Sequence, residues 1–176
     1  MNNKHLYLAI VTGAIALSTT SIQAKESYSQ NTSDTIFVCA TEIETPTMFA
    51  FTPGNVKLTP IISWHQEYLL PDQSATEVCQ QTATKLQEIN RQQAEQKQEY
   101  YLKTELQGDR SLVCAVSEKD ATCSSDDSEE LFSINPNYDA PCVLDNRDPL
   151  ECVALGRVRG VYSSIDTPYQ PSWWPW

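Results

Sequence analysis

Glycine is scarce in this chain of 176 residues, with five in all, and histidine scarcer still, with two. So few glycines, none grouped, provide no loop to cradle a phosphate, which sets nucleotide chemistry aside. No serine stands in a Gly-x-Ser-x-Gly elbow, so the commonest hydrolase signature is missing. No two cysteines sit at Cys-x-x-Cys spacing, and His65 is the only histidine past residue 24, so ligands for a zinc site run short. Positive charge is also in short supply: 12 basic side chains against 23 acidic give a formal charge of -11 and a pI of about 4.5. Such a field repels phosphate backbones and anionic lipid, which argues against nucleic acid as a partner. The longest apolar-leaning stretch, Leu6 to Leu17, is well below the ~20 residues that span a bilayer.

That stretch has a different meaning. It follows Lys4 and His5 and precedes a polar Ser18-Thr19-Thr20-Ser21 segment and Ala24, the three-part layout of a secretory signal over residues 1–24, with cleavage expected after Ala24. Retention as a membrane anchor is the competing reading, and its shortness counts against it. Without these 24 residues 152 remain, and the loss of Lys4 leaves 11 basic against 23 acidic side chains, a charge of -12. That length suits one domain. Residues 25–34 read as a polar, flexible lead.

All six cysteines, Cys39, Cys79, Cys114, Cys123, Cys142 and Cys152, lie beyond the signal. An even set in an exported chain predicts a disulfide framework, although six cysteines allow many pairings. Local spacing favours Cys114 with Cys123 and Cys142 with Cys152, each closing a short loop, which leaves Cys39 for Cys79. Each bridge is worth about 2–4 kcal/mol.

Short β-branched and aromatic runs at 35–40, 47–51 and 60–65 predict three strands, the second turning through Pro53-Gly54-Asn55. Ser74-Ala75-Thr76-Glu77 reads as a capping box, and Ala75, Val78, Cys79, Thr82, Leu86 and Ile89 continue it as one apolar helical stripe. From Asn90 to Glu99 the stripe fades into glutamine-rich sequence, either a helix projecting into water or a loop-like insertion. Residues 100–106 and 111–116 flank a Gly108-Asp109 hairpin turn, and 131–134 reads as a last strand after an acidic connection over 118–130. The expected fold is α+β: a small antiparallel sheet of five or six strands, one main helix on one face, and disulfide staples.

Candidate chemistry is thin. His65 and Ser63 would share a face of the third strand, but nothing in the sequence supplies an orienting group or an oxyanion pocket. The run Asp126-Asp127-Ser128-Glu129-Glu130 lacks the alternating ligands and glycine of a calcium loop and reads as a solvated acidic stretch. No catalytic, cofactor or metal residue is assigned. The tail over 161–176 ends in Thr167-Pro168-Tyr169-Gln170-Pro171-Ser172-Trp173-Trp174-Pro175-Trp176. Its prolines keep it extended, and Tyr169, Trp173, Trp174 and Trp176 are candidate contacts to a protein partner or a membrane surface; folding back onto the domain is the alternative.

Phe37-Val38-Cys39, Pro60 to Trp64, Ala75 to Leu86 around Cys79, Tyr101 to Thr104 with the Gly108 turn, Leu112-Val113-Cys114, Cys123 and Leu131 to Pro136 occur in that order. The order resembles the circadian oscillating protein family of cyanobacteria, over a domain placed here at 35–137. The resemblance implies an exported or membrane-peripheral protein whose abundance follows a daily rhythm, with no established activity or cofactor. It therefore supplies no catalytic residue. Gln92 to Gln98 is longer than the family's usual link, and the Cys142–Cys152 extension over 138–160 and the tail lie outside the shared pattern. The function expected is non-catalytic binding or structural work in the periplasm, lumen or cell surface. A small hydrolase, or a protease inhibitor using the Cys142 to Cys152 loop, is the alternative.

Overall fold

In a computed structural model, which describes residues 35–54, 57–154, 170–171 and 173–174, the β-branched run after Thr35 forms the first strand, β1 (Ile36–Ala40). It pairs antiparallel with β2 (Thr47–Phe51), which pairs antiparallel with β3 (Thr59–Ser63). The third strand stops short of the expected Trp64 and His65. The Trp64 N–H bonds to Pro46 O at 2.8 Å and its indole turns inward to meet Phe132 edge-on at 4.8 Å. His65 then precedes a single 3-10 turn over Gln66–Tyr68.

A second antiparallel sheet contains β4 (Tyr101–Gln107), β5 (Arg110–Val116) and β6 (Ser128–Ile134). The two-residue loop between β4 and β5 has Gly108 at φ 63°, the first loop position, where a tight hairpin needs glycine. β6 begins three residues before the expected strand, because Ser128, Glu129 and Glu130 continue the ladder opposite Val116, Ala115 and Cys114. Backbone pairing along β5 decides that extension, and the polar side chains did not advertise it. The six expected strands are thus divided into two sheets of three.

Helix α1 (Ala75–Gln96) lies across both sheets, packed on β1, β2 and β6. Its expected stripe is buried from Val78 to Ile89. Ser74 is the N-cap residue, but no side-chain capping bond forms; only its carbonyl engages, accepting from the Val78 N–H at 2.9 Å. Ser74 and Glu77 are both exposed, so water can serve the free amides there. Past Ile89 the glutamine-rich stretch stays helical. Asn90 is buried and its Nδ2 donates to Thr35 O at 2.9 Å, while Arg91 pairs with Glu88 and Glu95 on the solvent side. The helix ends at Lys97 in the left-handed region, whose N–H reaches Gln93 O at 2.7 Å.

The disulfides pair Cys39 with Cys79, Cys114 with Cys123, and Cys142 with Cys152. The last closes two short helices, α2 (Ala140–Leu144) and α3 (Pro149–Cys152). Residue 137 is no break in the fold. Ala140, Val143, Leu144 and Cys152 belong to the core, α2 packs on β3 and β5, and the Asp139 N–H bonds to Cys152 O at 2.9 Å. All described residues fall within one compact unit; the signal and the polar lead lie outside the described residues.

Candidate binding surfaces

Ser63 and His65 do not form a nucleophile and base pair. Ser63 closes β3 and its Oγ accepts from Thr47 Oγ1 at 3.3 Å, whereas the His65 ring lies beyond the strand, edge-on to Tyr68 at 5.5 Å between centroids. The chain's direction changes between them, so the strand period no longer relates the two. Tyr68 is itself occupied: its hydroxyl donates to Arg147 O at 2.5 Å, and burial pushes its ionisation well above the ordinary tyrosine value.

The acidic run is divided between a turn and β6. Ser128 Oγ donates to Cys123 O and Ser125 O, tying the turn down, and Glu130 lies 3.8 Å from Arg110. The Cys142–Cys152 segment is helical and pinned, with Asn146 Oδ1 accepting from the Ser63 N–H at 2.6 Å. Leu150 protrudes from it, 90% exposed, on a helix rather than on the extended loop that an inhibitor presents to a protease.

Two of the four tail aromatics are placed, and they take the fold-back alternative. Trp174 is only 8% exposed, and its Nε1 donates to Tyr100 O at 3.2 Å. Trp173 Nε1 donates to Leu144 O at 2.7 Å, and the two rings meet edge-on at 5.7 Å. Buried indole N–H groups need partners, and these two carbonyls provide them. Trp174 is thus committed to the core and not presented to a partner or bilayer. Tyr169 and Trp176 lie outside the described residues.

The exposed apolar surface is elsewhere, on the first sheet. Ile36 and Val38 are 43% and 42% exposed, on the face opposite the buried Phe37, and they stand across from half-buried Phe51 and Phe49 of β2. Beside this strand runs an open groove of about 970 Å³, with Val38 and Cys39 on one wall and Gln87, Arg91, Ala94 and Glu95 of α1 on the other. Gln87 bridges the walls: its Oε1 accepts from the Phe37 N–H at 3.0 Å. Two arginine hydrogen bonds at Glu88 hold that carboxylate below its usual range, so the helix wall keeps both signs of charge. Sequence reasoning passed over this surface. The signal was the apolar residues on both sides of β1 and β2, where a one-sided sheet alternates with polar ones.

Fold and surface together define a disulfide-stapled α+β domain with an uncovered apolar strand face. The chain belongs to the circadian oscillating protein COP23 family, whose model matches residues 36–149 and so runs past Cys142, beyond the end of the resemblance read from sequence. Among curated proteins and among solved structures, nothing matches this chain. No helix among the described residues is long and apolar enough to cross a membrane.

Proposed function

We propose that this protein is an exported, non-catalytic binding or structural protein of the periplasm, lumen or cell surface, with any membrane attachment peripheral. The observation that carries the reading is the uncovered Ile36, Val38, Phe49 and Phe51 face on a frame held by three disulfides. Contiguous apolar surface of this kind marks an interaction site, and a rigid cross-linked frame presents it with little ordering cost. Three disulfides accord with an oxidising compartment.

Fractionation of cells expressing the tagged chain, with thiols blocked at lysis, tests the location. The chain is expected outside the cytoplasm with all six cysteines oxidised; a cytoplasmic chain with free thiols overturns export. A screen of hydrolase substrates tests the second half. Turnover abolished by His65→Ala would overturn the non-catalytic reading.

A further inference from the structure

Every cysteine pairs with its immediate neighbour in sequence: Cys39 with Cys79, Cys114 with Cys123 and Cys142 with Cys152, and none is left free. No bridge encloses or crosses another. That connectivity is one of many open to six cysteines, and proximity along the chain does not by itself select it. Cys79 lies nearer in sequence to Cys114 than to Cys39. Loop-closure entropy grows only slowly with length, so with all thiols free together Cys79 would close on Cys114 about as readily as on Cys39.

Burial decides when the bridges can form. Each pair contains one cysteine shut off from solvent: Cys79 and Cys114 are 0% exposed, and Cys152 is 1% exposed. Thiol–disulfide exchange needs a thiolate to reach a disulfide sulfur, and a packed core denies that access. Oxidation therefore precedes packing, and a wrong pair sealed into the core would resist exchange. The chain that holds each pair also adjoins it. β1 and α1, with the Gln87 and Asn90 bonds that join them, lie within residues 35–96, ahead of Cys114. Glu105 of β4 accepts from the Cys123 N–H at 3.0 Å, and Asp139 Oδ2 accepts from the Cys142 N–H at 3.1 Å. Both carboxylates precede the cysteines they hold.

We propose that the bridges are inserted in chain order by a thiol–disulfide oxidase acting on the unfolded chain as it reaches the oxidising compartment, and that native pairing needs no disulfide isomerase. The inference rests on the export proposed above, because an N-terminal signal delivers the chain N-terminus first. Cys79 then arrives with Cys39 as its only partner, Cys123 with Cys114, and Cys152 with Cys142. At each step the leading cysteine's thiolate attacks the oxidase disulfide and forms a mixed disulfide. The following cysteine's thiolate then attacks the protein sulfur in that bond. The protein bridge forms, and the oxidase leaves as a dithiol carrying the two electrons and two protons given up by the pair.

Pulse-labelled full-length chain, trapped by acid and alkylation and mapped by peptide mass spectrometry, tests this in cells that lack the oxidase, the isomerase or neither. The yield of native bridges should stay within about twofold when the isomerase is absent and collapse to free thiols when the oxidase is absent. Cys39–Cys79 should close first and Cys142–Cys152 last. Glu44→Cys, in the exposed connection between β1 and β2, offers Cys39 a nearer thiol before Cys79 arrives, so this variant should mispair and need the isomerase to recover. Four results would each overturn the proposal: parent chain that needs the isomerase, native bridges without the oxidase, Cys142–Cys152 closing first, or Glu44→Cys pairing natively without the isomerase. Failed export is told apart from all of these, because it leaves the six cysteines reduced in the cytoplasm whichever enzyme is present.

Discussion

Replacing Trp174 by alanine measures whether the tail is part of the domain's stability. The indole is 8% exposed within the main core, and its Nε1 donates to Tyr100 O at 3.2 Å. Burying an indole removes roughly 150–250 Å² from water, which at about 25 cal/mol per Å² is an upper value of about 4–6 kcal/mol. The hydrogen bond adds about 1 kcal/mol net, and tryptophan-to-alanine changes in cores cost about 3–5 kcal/mol. Both routes converge near 4 kcal/mol. For a domain of this size that lowers the melting temperature by about 8–16 °C. Urea unfolding with disulfides intact is the assay, read by near-ultraviolet circular dichroism, and the midpoint should fall while the slope is unchanged. Trp174→Phe keeps most of the apolar area and loses the indole donor to the Tyr100 carbonyl, at about 1–2 kcal/mol. An alanine variant within about 0.5 kcal/mol of the parent would refute the reasoning and return the tail to solvent.

Removing both members of the Cys39–Cys79 pair, separated by 40 residues, should cost about 4 kcal/mol, against about 2.5 kcal/mol for Cys114–Cys123, separated by 9; equal losses in denaturant titrations would contradict the loop-entropy account. Asn90→Ala withdraws the better donor from the Thr35 carbonyl, leaving Gln87 Nε2 at 3.5 Å, and should cost about 1–3 kcal/mol by the same titration, with faster amide exchange along β1. Stability should also decline at alkaline pH. Burial raises the ionisation of Tyr68 above its ordinary 10.0, so the unfolded chain loses that proton first and the contribution, intact below pH 10, is lost as pH rises past it. Tyr68→Phe, followed by unfolding across that range, should flatten the alkaline decline while lowering stability at neutral pH through the lost bond to Arg147 O.

Strands and helix were legible where side-chain pattern alone decides them. The β-branched and aromatic runs at 36–40 and 47–51, the Gly108 turn and the stripe from Val78 to Ile89 are all written in adjacent residues. Where backbone or distant groups decide, reading by residue failed in specific ways. Ser128 to Glu130 join β6 because β5 offers its ladder, and Ser74 caps with its carbonyl because the helix start lies in water. Asn90 opens the stretch where the apolar stripe fades, yet it is buried because its amide serves the Thr35 carbonyl, 55 residues away. The tail alternatives were balanced for the same reason: whether Trp174 is ligand or core depends on a carbonyl at Tyr100, 74 residues earlier.

By itself the sequence determined the class of the molecule: an acidic chain with a secretory-type start, six cysteines spaced for three bridges, and an α+β arrangement with one main helix. Those properties follow from composition and short-range periodicity. Only the tertiary structure decided that six strands divide into two sheets, that α2 and α3 belong to the core, and that the Ile36 and Val38 face of the first sheet stays uncovered. An uncovered face is a property of what fails to pack against a sheet. Burial between elements remote in sequence sets that, and no local pattern encodes it.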